Sequence, residues 1–202
     1  MLQSDFYTPG TGDNMTGNIY IDSSGVRNFI QVQQATQMAN KILRNDEFYL
    51  RIALQDSFDL ADAAPETIAV LMRHASIRMY ISLYHALSQE KNFDGYDDEE
   101  HPSIIHLNIW KMDRSPASIC NTIIHSCVHA VNAQNNQYYF GHGDNSLQGK
   151  ENTAPYWIGA LAQKIASSED TVIIPMEHDH YEPRLREVKK KYDFLSPAKR
   201  PV

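Results

Sequence analysis

Two histidines four residues apart, His125 and His129, lie in the apolar stretch NTIIHSCVHAVN. Residues at positions i and i+4 of a helix share one face, with Cβ atoms about 5–6 Å apart. Two imidazoles at this spacing can bind one zinc ion, at Zn–N distances of about 2.0–2.1 Å. The alternative is a pair of hydrogen-bonded histidines in a buried helix, because buried polar groups are paired. The spacing alone leaves both interpretations open.

The loop that follows this stretch favours the metal site. It reads FGHGDNS and contains His142 and Asp144, each of which can ligate a metal. A catalytic zinc ion needs three protein ligands and one open position. The flanking glycines let the backbone fold sharply back over a helix. The same composition is also typical of a plain polar turn, but its place directly after a candidate metal helix favours a third ligand here.

Residues 104 to about 166 resemble the zincin metallopeptidases, most closely the aspzincin type. In that family an H-E-x-x-H helix is followed by a glycine-containing loop with an aspartate ligand, and then by a helix with an N-x-x-x-Y-like stretch. The resemblance implies that His125, His129 and Asp144 hold Zn²⁺. This loop reads GHGD where the family usually has G-T-x-D, so His142 is the alternative third ligand. The stretch ENTAPYWIGALA supplies Tyr156, whose phenol could stabilise an oxyanion.

The resemblance also implies a fold and an activity. The expected fold is α+β and zincin-like, with a small, mostly antiparallel sheet packed on the active-site helix and further helices. The expected activity is zinc-dependent hydrolysis of polypeptides. The strand IIHLNIW would be the edge strand that binds the substrate main chain, with Ile109 and Trp110 as contacts. A protein inhibitor or immunity partner, and delivery as a bacterial effector or toxin, are expectations from the family type.

Ser126 stands where the zincin helix carries its catalytic glutamate. That glutamate takes a proton from the zinc-bound water and passes it to the leaving amine. Zinc still lowers the pKa of the water to about 7, but a missing proton carrier costs about 10²–10⁴ in rate. Three explanations stay open: an inactivated variant of an active peptidase, a zinc-binding pseudoenzyme or protein-binding module, or a second carboxylate, such as Glu151 or Glu177, that reaches the water.

The surrounding pattern predicts the elements that position these residues. We expect helices in VRNFIQVQQATQMANKILRN, PETIAVLMRH, SPASICNTIIHSCVHAVNAQ and APYWIGALAQKIA, because their apolar residues recur at helical spacing. IRMYISLYHAL and IIHLNIW predict strands, and EFYLRIAL is a β-prone run. A loop with one short strand, NIYI, is expected before residue 25, and the acidic segment SQEKNFDGYDDEEHP is predicted to be an exposed loop.

Length and charge limit the class of protein. The 202 residues suit one domain over 1–202, with extended tails at 1–25 and 183–202. A net charge of −7 without a basic stripe argues against nucleic-acid binding, and no apolar run approaches the length of a membrane span. The N-terminus shows no signal peptide, which predicts a cytoplasmic protein or secretion by a signal-independent route.

Cys127 is expected to be a buried cysteine rather than a nucleophile, because no base lies beside it.

Overall fold

The computed structural model describes residues 19–87, 94–97, 100–143 and 149–168. These parts contain β1 (Tyr20–Asp22), α1 (Ile30–Ile42), α2 (Asp46–Ala53), α3 (Pro65–His74), β2 (Arg78–Tyr84), β3 (Gly95–Asp97), β4 (Ile104–Asn108), α4 (Pro116–Gln134) and α5 (Ala154–Ser167). Short 3-10 helices occur at Ser24–Val26 and Ile109–Lys111. Most of the two predicted tails lies outside the described residues. The short strand predicted in NIYI is β1.

The sheet is small, as predicted, but its strands are mostly parallel. The strand order is β1-β2-β4-β3; β1 and β4 both run parallel to β2, and only β3, at one edge, is antiparallel to its neighbour. The prediction of a mostly antiparallel sheet is therefore wrong. The reason is the connections: α1, α2 and α3 lie between β1 and β2, and a long helical crossover joins parallel strands. Short connections such as the one from β3 to β4 join antiparallel strands.

The position predicted for the strand IIHLNIW is also wrong. β4 lies between β2 and β3, so it is not an edge strand, and within the described residues the edge on this side is β3. β4 ends at Asn108, whose side chain accepts a hydrogen bond from the Trp110 N–H at 3.1 Å. This contact starts the 3-10 turn that contains Ile109 and Trp110. Ile109 and Trp110 therefore lie in this turn and not in the strand, and their contact with a substrate stays a prediction.

Most predicted elements are confirmed, with two corrections. Helices are present in all four segments where the apolar spacing predicts them, and β2 confirms the strand in IRMYISLYHAL. EFYLRIAL is helix α2 rather than a strand, because the Asn45 side chain caps it by accepting the Glu47 N–H at 2.9 Å. The acidic segment predicted to be a loop contains β3.

Helix α4 lies at the centre of the packing. It packs most extensively on α5 and α1, and Cys120, Ile123, Ile124, Cys127 and Val128 on it are fully buried. These residues join one apolar cluster that also includes Ile21, Met79, Ile105 and Leu107 of the sheet. No helix in the described ranges is both long and apolar enough to cross a membrane. A well-packed α4 is a rigid support for the side chains it carries.

Candidate metal centre

The two helix-borne histidines are positioned by the way α4 begins and runs. Ser115 caps the helix, its hydroxyl accepting the Ser118 N–H at 3.2 Å, and Pro116 occupies the first turn. The helix then runs without interruption to Gln134, so His125 and His129 lie one turn apart on the same face. Their ring centroids are 4.9 Å apart.

A third imidazole, from His142, meets this pair. His125 Nε2 lies 3.2 Å from His129 Nε2 and 3.2 Å from His142 Nε2. One ring nitrogen of each histidine lies within 4.8 Å of those of the other two. Two nitrogens bound to one tetrahedral zinc ion at about 2.05 Å are about 3.3 Å apart. The three histidines are therefore close enough to hold a metal ion, and the two short separations suit both a tetrahedral ion and hydrogen bonds between the rings.

The loop that carries His142 is held against the same face of α4. The Asn132 side chain, three residues after His129 and seven after His125, accepts the Phe140 N–H through Oδ1 at 2.7 Å. The Phe140 side chain is fully buried. Because positions i, i+4 and i+7 share one helix face, a single face of α4 both supplies two imidazoles and anchors the loop with the third.

Tyr139 also shapes this loop. Its hydroxyl accepts the Gly143 N–H at 2.9 Å, and its ring lies over Gly141, where an added Cβ would come within 2.8 Å of the hydroxyl oxygen. Gly143 has φ of +71°, a left-handed conformation that favours glycine. The two glycines therefore let the chain turn tightly on both sides of His142, as the composition of the loop predicts.

A distant segment, residues 55–62, braces the loop from the other side. The Tyr139 N–H donates to Asp62 Oδ1 at 2.6 Å, and the Asp62 N–H donates to the Tyr139 carbonyl at 2.9 Å. The Asp59 N–H donates to the Asn152 carbonyl at 3.0 Å, and the Asn152 side-chain amide donates to Asp59 Oδ1 at 3.1 Å. The Gln55 side-chain amide donates to Asn152 Oδ1 at 3.0 Å. This segment ties together the chain before and after the loop.

Tyr156 reaches the site because α5 crosses α4 closely. An added Cβ on Gly159 would lie 2.3 Å from Asn121 Oδ1 and 3.1 Å from the Asn121 carbonyl oxygen, so the crossing needs a glycine. One turn before Gly159, the Tyr156 ring lies 4.6 Å from the His125 ring and 5.1 Å from the His142 ring, centroid to centroid. The predicted neighbourhood of Tyr156 and the histidines is therefore present.

The electrostatics of the site favour a neutral imidazole at His125. Burial holds the pKa of His125 well below its usual range, and His129 and His142 lower this pKa further. A neutral imidazole, with a lone pair on the nitrogen, is the form that binds metal. For all three Nε2 atoms to be ligands, each ring must carry its proton on Nδ1.

The remaining predicted site residues have mixed outcomes. Asp144 and Glu177 lie outside the described residues. Of the two candidates for the third ligand, His142 lies beside His125 and His129, and the role of Asp144 stays a prediction. Ser126 follows His125 on α4 and is 6% exposed. Glu151 is exposed in the turn before α5. The Cys127 side chain is fully buried, as expected for a packing residue.

The sequence alone did not identify Asn132 and Tyr139 as positioning residues. A signal for Asn132 is present, because its spacing from both histidines places it on their face of the helix. Tyr139 has no comparable signal, since its role depends on a contact with Asp62, 77 residues away. In comparisons with protein-family models, with curated proteins and with solved structures, nothing matches.

Proposed function

We propose that this chain is a zinc-binding protein of the zincin metallopeptidase type, with His125, His129 and His142 as the zinc ligands. The observation that carries the proposal is the approach of three Nε2 atoms from two separate segments, with two separations of 3.2 Å. A tetrahedral ion with three protein ligands keeps a fourth position for water or substrate. Three nitrogen ligands suit zinc, although nickel and copper also bind imidazole.

The residues around the ligands support hydrolysis of an acyl substrate. Bound zinc would supply a water of lowered pKa and would polarise a carbonyl group. The chain itself contributes three imidazoles, held by α4 and by the loop anchored on Asn132. The Tyr156 ring packs against two of these imidazoles, which supports its proposed role as a hydrogen-bond donor to an oxyanion.

Ser126 limits the proposed activity. A serine hydroxyl does not accept a proton near neutral pH, so it cannot carry one from water to a leaving amine as a carboxylate does. Amide hydrolysis by this chain is therefore expected to be slow, by about 10²–10⁴ relative to the same site with a base. The same residue favours a second candidate function, a zinc-binding protein without catalytic activity.

Metal analysis tests the ligand set. We expect the purified protein, loaded with zinc and dialysed, to retain about one zinc per chain. We expect His142→Ala to lose this zinc and Asp144→Ala to keep it. A protein that retains no zinc would exclude both candidate functions. Loss of zinc in Asp144→Ala, with retention in His142→Ala, would assign the third ligand to Asp144 instead.

Restoring the carboxylate separates the two candidate functions. Ser126→Glu should gain peptidase activity on an unfolded-protein substrate, by about 10²–10⁴. Ser126→Gln is the matched control, because it has nearly the same shape but cannot act as a base. Zinc content and circular dichroism establish that both variants are folded and loaded. Equal inactivity of the two loaded variants would favour the non-catalytic zinc-binding protein.

A further inference from the structure

Leu60 combines an unusual backbone conformation with an exposed apolar side chain. Its φ is +61°, and it is the one residue other than glycine with positive φ among those the structure describes. Side-chain sterics disfavour this left-handed region, which a branched residue rarely adopts. The side chain is 61% exposed, so burial in the core does not offset the unfavourable backbone. Such strain persists only where the surroundings hold it, and it clusters at functional sites.

The surroundings of Leu60 do hold it. On one side, Phe58 is buried and its ring packs edge-on against Trp157 of α5, with centroids 5.6 Å apart. Asp59 and Asp62, on either side of Leu60, make the hydrogen bonds to Asn152 and Tyr139 described above. Leu60 is therefore the exposed tip of a short segment that is fixed at both ends.

This tip lies beside the loop that carries the third histidine. Leu60 Cδ1 is 4.0 Å from the position that a Cβ on Gly143 would take, and Gly143 directly follows His142. Tyr139, 44% exposed, contacts the same loop through Gly141 and Gly143. Two exposed apolar side chains thus border the ligand loop, and a glycine leaves the space next to one of them open.

We propose that Leu60 is a specificity-determining residue of the metal centre: its side chain contacts an apolar group that a ligand carries next to its metal-binding atoms. The proposal rests on the metal site proposed above. The favoured class comprises acyl compounds with an aliphatic chain beside the carbonyl or hydroxamate group, over the same compounds with only a methyl group. Contact with one leucine in such a position is expected to change relative affinity about tenfold.

Two simple hydroxamates test the proposal on the zinc-loaded protein. Both acetohydroxamate and hexanohydroxamate bind zinc through the same group, and only the second carries an aliphatic chain. Calorimetric titration should show hexanohydroxamate binding about ten times more tightly to the unaltered protein. In Leu60→Gly and Leu60→Asn, which both tolerate positive φ, this ratio should fall to about one. Acetohydroxamate affinity and zinc content should not change, and the melting temperature should stay equal or rise.

Leu87→Ala is the matched control, because Leu87 is a still more exposed leucine at 76%. The Leu87→Ala variant should still bind hexanohydroxamate about ten times more tightly than acetohydroxamate. A ratio that is unchanged in both Leu60 variants, or a ratio near one in the unaltered protein, would overturn the proposal. Loss of both hydroxamates from zinc-loaded Leu60→Gly would also overturn it, since Leu60 would then position the loop. Absence of zinc from the unaltered protein, seen before any titration, would instead refute the metal centre and this proposal with it.

Discussion

The candidate metal centre combines two regions that hold their histidines by different means. His125 and His129 are placed by the repeat of one capped, well-packed helix, which needs no contact specific to the site. His142 is placed by hydrogen bonds that the backbone N–H groups of its loop donate to Asn132, to the Tyr139 hydroxyl and to Asp62, about 80 residues earlier in the chain. Helix periodicity is therefore sufficient to bring two candidate ligands together, whereas a candidate ligand on a loop is positioned by tertiary contacts. Substitutions can separate the two contributions.

The largest effect is expected from removing a helix ligand. His129→Ala should lower zinc affinity by more than the about 10–100-fold typical of residues that only support a ligand. Helix content measured by circular dichroism should stay unchanged without metal, because α4 is held by its packing. His101→Ala, at an exposed histidine outside the cluster, should leave zinc affinity unchanged. Unfolding of metal-free His129→Ala would contradict this view of α4, since the helix would then need the contacts of the histidine cluster to remain folded.

A smaller loss is expected when the loop is released from the helix. Asn132→Ala removes the acceptor of the Phe140 N–H but keeps all three histidines, so zinc affinity should fall about 10–100-fold. Competition with a chelator of known affinity measures this change. Asn136→Ala alters an exposed asparagine in the same connection and should have no effect. An equal zinc affinity in Asn132→Ala would mean that other contacts are sufficient to place His142.

Acid should destabilise the metal-free protein through His125, whose side chain is largely desolvated in the folded chain. The pKa of His125 is lower in the folded chain than its usual value near 6.5, so below that pH the unfolded chain binds more protons. The free energy of unfolding should therefore fall as the pH drops below about 6.5, by at most about 1.4 kcal/mol per pH unit for this proton. Urea denaturation between pH 7 and 5, with a chelator present, measures the slope. His125→Gln should show a shallower slope, and an identical slope would contradict the assignment.

The smallest effect is expected from the hydroxyl of Tyr139. Tyr139→Phe keeps the ring over Gly141 but removes the acceptor of the Gly143 N–H. A hydrogen bond contributes about 0.5–1.5 kcal/mol, so zinc affinity should fall about two- to tenfold. Tyr80→Phe, on the exposed face of the sheet, serves as the control in the same chelator competition. A loss as large as that in Asn132→Ala would show that the two loop contacts contribute equally.

The sequence predicted the helix-borne part of the site well and the rest less well. Periodicity and capping are local properties, so α4, its Ser115 cap and the proximity of its two histidines follow from nearby residues. Strand order depends on connections, and the parallel sheet differed from the expected one because three helices lie between β1 and β2. The helix in EFYLRIAL was missed because its β-prone composition outweighed the cap at Asn45. The loop composition allowed two ligands, and the structure places His142 with the helix pair.

The hydrogen bonds that brace the loop have a consequence for the order of folding. The ties from Asp62 to Tyr139 and from Gln55 to Asn152 join residues 77 and 97 positions apart. Contacts at such separations form after local ones, because long loops must close first. A partly folded chain that has α4 but lacks these long-range ties would therefore hold the third imidazole only through the local contact with Asn132. In the completed fold the three imidazoles lie together, so a metal ion bound to all three would favour this topology. Its binding would stabilise the folded state by about 4 kcal/mol at a thousandfold excess over the dissociation constant.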